Sequence, residues 1–182
     1  MDDIPLYAII QSDYYRYKGE TGNWLKFLRL ALKDHSFMYS MCFRLSSRKN
    51  MLYIPAKIGH KLLGTIYHII ISPKTKIGYG LRIGHGFSIV INSGTIIGNN
   101  CNIGQFLNIG SQYGTPAIVG DNVYFGPFVS LVENVKIGNN VTIGAGAVVT
   151  KSIPDNATAA GVPAKVLNYD NPGRFSYRNV VP

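Results

Sequence analysis

The residue of this sequence with the clearest chemical potential is His85, in the segment Ile83-Gly84-His85-Gly86. An imidazole titrates near neutrality, so it can take a proton from a hydroxyl group or another nucleophile. The other histidines, His35, His60 and His68, all precede the regular part of the sequence. We expect them to pack structurally or to lie on the surface, whereas His85 lies where the repeat described below is first interrupted.

The elements that position His85 are indicated by a six-residue repeat. Large apolar residues recur at Ile77, Ile83, Ile91, Ile97, Ile103, Ile109, Val119, Phe125, Leu131, Ile137, Ile143 and Val149. The next residue is usually Gly, and a compact or β-branched residue follows four positions after the apolar one. This period fits neither a helix nor an alternating strand, but it fits a short strand followed by a tight corner.

Three such units would form one triangular coil whose apolar residues point inward and stack along the axis. Asn100, Asn122 and Asn140 stand at the corners, where Asn tolerates a left-handed backbone. Cys101 takes an inward position and should fill the core. The repeat therefore predicts an all-β, left-handed parallel β-helix of about four coils, with an α-helical region before it.

The chain divides into three parts on this basis. Residues 1–72 carry no hexads, and their helical spacing predicts two or three helices that cap the β-helix or support oligomerisation. Residues 73–167 form the β-helix domain, and the tail 168–182 should lie on a neighbouring chain or be disordered. Basic residues without acids in 41–61 leave a second interpretation of the helical region, as a peripheral contact with an anionic membrane.

Composition narrows the class of protein. The chain has 182 residues and a net charge of +9, which suits anionic partners such as phosphorylated cofactors. It shows no nucleic-acid recognition module and no long apolar run typical of a transmembrane helix. Two cysteines, Cys42 and Cys101, and an acidic start predict a cytoplasmic protein that is at most membrane-associated.

The segment Ile77–Leu167 resembles the hexapeptide-repeat acyltransferases, and among them the serine acetyltransferase-like group of capsule and surface-polysaccharide synthesis. The stretches that carry the resemblance are Lys76–His85, Ile96–Ile109, Ile143–Lys151, Ala160–Lys165 and, near the start, Ser12–Tyr17. The resemblance implies acetyl transfer from acetyl-CoA to a hydroxyl, without a metal, in a homotrimer whose subunits share each site.

The resemblance also implies roles for individual residues. His85 would be the catalytic base. Asn92 and Gln105 are candidates for binding the acceptor. The pantetheine groove would be lined by Gly126, Ala145 and Gly146, and the phosphates would meet Thr150, Lys151 and Lys165.

Three departures from serine acetyltransferases bear on the acceptor. Gly84 stands where an Asp precedes the catalytic His, Ile70 where a second Asp is expected, and Thr115 where a further His is expected. The carboxylates that would hold the ammonium group of serine are therefore missing. This favours a neutral hydroxyl, such as that of a sugar, and leaves the group that orients His85 unidentified; a backbone carbonyl is one candidate.

Two alternatives stay open at this point, a serine O-acetyltransferase of cysteine synthesis and a non-catalytic β-helix scaffold. A zinc carbonic anhydrase would need three converging histidines, and His60, His68 and His85 do not come from repeat positions that would converge. The repeat is interrupted at His85–Val90 and at Ser111–Ile118. Because insertions into repeats tend to carry function, we expect both to line one groove.

Overall fold

The computed structural model describes residues 4–176 and 178–180 and begins with four helices. These are α1 (Leu6–Lys18), α2 (Trp24–Lys33), α3 (His35–Ser47) and α4 (Tyr53–Ile66). The strands that follow are β1 (Ile69–Ile71), β2 (Lys76–Ile77), β3 (Arg82–Ile83), β4 (Ile89–Ile91), β5 (Ile96–Ile97), β6 (Asn102–Ile103), β7 (Asn108–Ile109), β8 (Ile118–Val119), β9 (Tyr124–Phe125), β10 (Ser130–Leu131), β11 (Lys136–Ile137), β12 (Thr142–Ile143), β13 (Val148–Val149), β14 (Thr158–Ala160) and β15 (Lys165–Asn168).

The strands form the three faces of a triangular left-handed β-helix, as the repeat predicts. Face A contains β1, β4, β7, β10 and β13, and face B contains β2, β5, β8 and β11. Face C contains β3, β6, β9, β12, β14 and finally β15, which pairs antiparallel with β14. The chain visits A, B and C in turn, so each coil places its residues directly above those of the coil before.

The β-helix has about five coils rather than the expected four, because one unit precedes the first hexad that the sequence pattern reveals and two follow the last, Ile153 beside Ile137 and β14 beside β12. Strand β1 pairs in parallel with β4, and its Ile69 and Ile71 are buried in the core. The β-structure therefore begins at Ile69, inside the stretch expected to be purely helical. The strand Ile69–Ile71 is not recognisable as a hexad in the sequence, because it is not followed by the Gly that marks most later hexads.

The corners confirm the prediction made for asparagine. Asn100, Asn122 and Asn140 have φ of 55°, 58° and 57°, and Asn156 continues the column at 64°. Their side chains also form a ladder, since the Asn122 amide donates to Asn140 and the Asn140 amide donates to Asn156. Cys101 is fully buried, as its inward position predicts.

Helix α3 joins the helical region to the first coil. Tyr39 and Phe43 of α3 pack into the β-helix core beside Ile69 and Ile71. Four helices form where two or three were expected, and Arg44 of α3 is buried rather than displayed on a basic surface. None of the helices in the described ranges is long and apolar enough to cross a membrane.

Buried Arg44 fastens the helices to the β-helix through charge and hydrogen bonds. Its Nε lies 2.8 Å from Oδ2 of Asp13 in α1, and its terminal nitrogens donate to the carbonyls of Ile77 and Gly78. The second Asp13 oxygen accepts from the amide of Leu81 at 2.7 Å. Both charges are thus paired and hydrogen-bonded, which is the condition for burying them.

The described part of the tail lies along the protein's own β-helix, contrary to the expectation that it lies on a neighbour or is disordered. Gly173 donates to the carbonyl of Asn140, and the Asn102 amide donates to the carbonyl of Phe175. Asn100 then exchanges two hydrogen bonds with Val180. The asparagines near this edge therefore provide polar partners for a returning chain.

Candidate active site

His85 lies at a corner of the first coils, between β3 on face C and β4 on face A. Its φ is 50°, a left-handed conformation that is unusual for a residue with a Cβ, and its side chain is exposed. The preceding residue is anchored, since Gly84 donates to the carbonyl of Ile103 in the next coil at 2.7 Å. The backbone therefore presents the imidazole outward from a fixed turn.

The helical region holds this turn from the other side. The amide of Gly86 donates to Oγ of Ser36 at 2.8 Å, and Nε2 of His35 lies 3.1 Å from the carbonyl oxygen of Gly86. The His35 ring in turn stacks on Tyr67, with ring centroids 4.2 Å apart. His35, predicted to be structural, thus contacts the residue next to the candidate base. Nothing in the sequence marks this contact, because the partners are 51 positions apart.

His85 opens onto a groove of about 380 Å³ on face C. The groove brings it together with Gln105, a candidate for binding the acceptor, and adds Arg82, Asn102 and Tyr124, which the repeat does not mark as functional. Arg82 and Tyr124 occupy outward strand positions on face C, each one residue before an inward apolar residue of a hexad. The repeat could therefore have identified them as neighbours of His85.

We call the column of turns from face C to face A corner CA. It is formed in successive coils by His85, Gln105, Pro127 and Ala145. Coils in parallel β-structure are spaced by about 4.8 Å, so three steps, roughly 14 Å, separate the levels of His85 and Ala145. Corner CA is therefore an extended strip with the candidate base at its first coil.

At corner CA, the backbone favours glycine at two of the three positions assigned to the pantetheine groove, Gly126 and Gly146. A Cβ on Gly126 would lie 2.7 Å from the amide nitrogen of Ala145, so the close stacking of the turns requires glycine. Gly146 has φ of 70° and open space at its Cβ position. The structure thus places Gly126, Ala145 and Gly146 on the same corner as His85.

The residues assigned to the phosphates are divided between two places. Lys165 begins β15 beside Ala160, near the last coil of corner CA. Thr150 and Lys151 instead follow β13 at the corner between faces A and B, which we call corner AB. The full width of face A separates them from Gly146. Within one chain, the predicted coenzyme residues therefore do not form one continuous groove.

Asn92 also lies at corner AB, away from His85. Its Nδ2 donates to the carbonyl of Ser111 at 3.2 Å, and it lines a larger groove of about 840 Å³ between α4 and face A. Within a single chain, the expectation that both interruptions line one groove holds only for their ends, since Val90 and Ser111 both line this groove. The segment 85–88 precedes face A and the segment 112–117 follows it, so the two loops themselves lie on opposite edges of that face.

The second interruption is an ordered loop built around Glu133. One carboxylate oxygen accepts the backbone amides of Gln112, Tyr113 and Gly114 at 2.7, 3.0 and 2.9 Å. These hydrogen bonds, with that from Gly114 the strongest, hold the pKa of the Glu133 carboxyl below its ordinary value. Thr115, at the position of the missing histidine, is fixed through its amide to Asn134.

Two stacked phenylalanines, Phe106 and Phe128, lie at corner CA and were not predicted. Phe106 and Phe128 have φ of 60° and 61°, and their rings stack with centroids 4.3 Å apart. The Phe128 side chain is 57% exposed although it is large and apolar. The recurring Gly-x-Phe pattern at Gly104–Phe106 and Gly126–Phe128 could have indicated this pair of rings from the sequence. Strained residues that expose apolar surface are typical of sites that bind something.

The group that orients His85 is not found in the described residues, since no side chain or carbonyl among them hydrogen-bonds its ring. Ile70, at the position of the second missing carboxylate, is exposed on face A and lines the other groove. Between residues 4 and 176 and in 178–180, no group of three or more His, Cys, Asp or Glu is placed to hold a metal ion.

The fold and the histidine-bearing corner define a hexapeptide-repeat protein of the left-handed β-helix class. Residues 116–151 match the family model described as bacterial transferase hexapeptide (six repeats). Galactoside O-acetyltransferase of Escherichia coli is 47% identical over 60 residues, which are 33% of this chain and 30% of that protein. A putative lipopolysaccharide biosynthesis O-acetyl transferase of the same species is 43% identical over 54 residues, 30% of this chain and 28% of that protein.

Solved structures extend the similarity along the chain. Serine acetyltransferase of Neisseria gonorrhoeae, in complex with serine, superposes with a TM-score of 0.72 at 27% identity, over 88% of this chain and 68% of that one. The soybean enzyme shares the fold, with a TM-score of 0.75 at 23% identity, over 91% of this chain and 71% of that one. The resemblance to hexapeptide-repeat transferases is thereby confirmed. The matched segments span only 29–31% of the length of three curated relatives.

Proposed function

We propose that this protein is an acetyl-CoA-dependent O-acetyltransferase that modifies a sugar hydroxyl during polysaccharide synthesis, with His85 as general base. The observation that carries the proposal is the position of His85. Its imidazole is exposed at the foot of corner CA and shares a groove with Gln105, Arg82 and Tyr124. This position supports a site in which the base would lie beside polar groups for the acceptor and at one end of a corner that could hold the donor.

Acetyl-CoA would supply a thioester whose acyl carbon is open to attack by a hydroxyl. A Cβ at Gly146 would meet no other atom within 4 Å, so the backbone beside Ala145 is open at this point to a narrow chain such as the pantetheine. Lys165 lies near the last coil of this strip, where its charge suits a phosphate. Gly126, Thr150 and Lys151 complete the proposed coenzyme site.

His85 would act twice in the reaction. It takes the proton of the acceptor hydroxyl as the oxygen forms a bond to the acyl carbon, and it holds that proton on its imidazole. When the carbon–sulfur bond breaks, His85 returns the proton to the departing thiolate. The products are an acetyl ester and a free thiol, and His85 is neutral again.

The composition of the groove favours a neutral acceptor. None of the residues described as lining it is an Asp or Glu, so no carboxylate pairs with an ammonium group there. The amide side chain of Gln105 suits hydroxyl groups, and the Tyr124 ring offers a surface for a sugar. The galactoside and lipopolysaccharide relatives support this class of acceptor. Serine remains the alternative acceptor because of the structural similarity to serine acetyltransferase.

We also propose a homotrimer in which neighbouring chains complete each site. Thr150 and Lys151 lie at corner AB, across face A from Ala145 and Gly146. A second chain packed alongside would bring its own corner AB to the first chain's corner CA. Such an arrangement would unite the residues that a single chain keeps apart.

The proposal is tested by thiol release from acetyl-CoA with a galactoside panel and with L-serine. We expect release that depends on the sugar and falls about 100-fold or more in His85→Ala. His68→Ala is the matched control, since His68 is also an exposed histidine with positive φ but lines the other groove. Release with serine alone would overturn the sugar acceptor. If no thiol is released and calorimetry detects no coenzyme A binding, the enzyme proposal is overturned and the non-catalytic β-helix scaffold is favoured.

A further inference from the structure

Helix α2 has two apolar faces, of which only one is used inside the protein. Phe27, Leu30 and Ala31 point inward and are buried against the other helices. Leu25, Leu28 and Leu32 point the opposite way and are 56%, 51% and 80% exposed. Because residues three and seven positions apart share one side of a helix, these three leucines form a continuous outward ridge.

The ridge begins at an aromatic residue of the kind found at lipid–water boundaries. Trp24 is the first residue of α2 and is 43% exposed. Tryptophan is enriched at this boundary because its ring is apolar and its N–H is polar. Single exposed leucines are ordinary on protein surfaces, but a ridge of three with a tryptophan at its end is an apolar patch that needs a partner.

A row of positive charge borders the ridge. Lys26, Arg29 and Lys33 lie one helical quadrant away from the leucines, and α2 contains no acidic residue. Together with Lys18 they surround a shallow pocket of about 160 Å³. Glu20, which pairs with Lys26 at 3.1 Å, is the one acidic residue described as lining it. Four cations against one carboxylate give this surface a positive potential that favours anionic groups.

The arrangement discriminates between partners. An outward apolar ridge flanked by Lys and Arg is the pattern of a helix that lies in a membrane interface, with its charges directed to anionic headgroups. Pairing of two copies through this ridge would set two rows of cations side by side, which repel each other. α2 also packs chiefly on α3, away from the faces of the β-helix where we propose the trimer to form.

We infer that α2, Trp24–Lys33, docks the protein onto an anionic lipid surface, with the leucine ridge in the interface and Lys18, Lys26, Arg29 and Lys33 on headgroup phosphates. In 41–61, where the sequence indicated a membrane contact, Arg44 is buried with Asp13, whereas Lys57 and Lys61 of α4 stay exposed. Helix α2 is therefore a second candidate surface, and the experiment must distinguish it from α4. The inference does not depend on the proposed catalysis, because lipid binding is measured without acetyl-CoA or acceptor.

The experiment uses Trp24, the single tryptophan of the chain, as its probe. The full-length protein is mixed with phosphatidylcholine vesicles or with mixed phosphatidylcholine–phosphatidylglycerol vesicles, and fluorescence and flotation are recorded. We expect a blue shift and co-flotation only with the anionic vesicles, weakened by high salt. No shift and no flotation with anionic vesicles would overturn the inference.

Variants separate α2 from the other exposed basic helix. Leu28→Glu with Leu32→Glu should weaken binding by about 100-fold or more, and Arg29→Ala with Lys33→Ala by about 30-fold. Lys57→Ala with Lys61→Ala on α4 removes the same charge and should leave binding within about threefold. Equal losses from the α2 and α4 charge variants would contradict docking through α2, whereas unchanged binding of the leucine variant would exclude insertion of the ridge.

Light scattering and circular dichroism complete the test. The leucine variant should keep the wild-type mass in solution and the wild-type helix content. A lower mass would show that the ridge joins copies of this chain, and would also overturn the inference. If the leucine variant fails to fold, the arginine and lysine variant, which touches only exposed side chains, decides the question through the same vesicle measurement.

Discussion

The Oγ of Ser36 accepts a hydrogen bond from the backbone amide of Gly86 at 2.8 Å, which ties the first turn of α3 to the loop that carries His85. Both partners are buried, so the hydrogen bond is shielded from water. The helical region therefore has a direct part in shaping the candidate active site, beyond covering the first coil.

Replacing Ser36 with Ala should loosen this loop. The Gly86 amide would be left buried without a partner, which costs about 1–3 kcal/mol in the free energy of unfolding. We expect kcat to fall by about tenfold or more with a smaller change in KM, and Ser36→Thr to restore most of it. Denaturant unfolding and steady-state kinetics measure both effects. Ser47→Ala on the same helix is the control, and an unchanged kcat in Ser36→Ala would refute the positioning role.

The buried pair of Asp13 and Arg44 should dominate the stability of the junction between helices and β-helix. Asp13→Ala would leave the Arg44 charge buried and unpaired, at a cost of about 3–5 kcal/mol in the free energy of unfolding. Glu20→Ala, which removes the exposed pair with Lys26, should change it by less than about 1 kcal/mol. Chemical denaturation compares the two variants. Similar losses in both would mean that the buried pair contributes no more than a surface pair.

The loop of the second interruption should respond to acid through Glu133. The amides of Gly114, Gln112 and Tyr113 stabilise its ionised carboxylate and lower its pKa. The stabilisation is therefore complete above the ordinary carboxyl pKa and is lost as the pH falls through the lowered folded pKa. Amide NMR shifts of the three residues should titrate together below about 4.3, the usual glutamate value. In Glu133→Gln these shifts should lack that titration, and a midpoint above the usual value would contradict the prediction.

Cys101 should be chemically silent in the native protein. Burial raises the pKa of its thiol to about 12, so almost no reactive thiolate is present at neutral pH. Iodoacetamide should leave Cys101 unmodified in the folded protein and label it after unfolding, as followed by mass spectrometry. The half-buried Cys42, whose pKa is raised by burial as well, should react slowly. Rapid labelling of Cys101 without unfolding would show that the first coils open.

The architecture could be predicted because the repeat is a local pattern with a single period. Each hexad carries its own inward aliphatic and its own corner, so Ile97 or Ile143 reports its position without reference to distant residues. The corner asparagines and the exposed turn at His85 follow from the same pattern. The strand Ile69–Ile71 escaped prediction because the turn that follows it, 72–75, contains neither Gly nor Asn.

Contacts between distant parts of the chain account for what could not be predicted. His35 and Ser36 contact Gly86, and the tail packs back on Asn100. These contacts join segments separated by about fifty residues or more, so they produce no periodic pattern in the sequence. The corner at which a residue lies could not be predicted either, and the structure places Asn92 and Lys151 on the opposite side of face A from His85. The sequence by itself determined the coil, its inward residues and the candidate base. Only the tertiary structure decided which residues share that base's groove, because this depends on how a triangular cross-section distributes neighbours over its three edges.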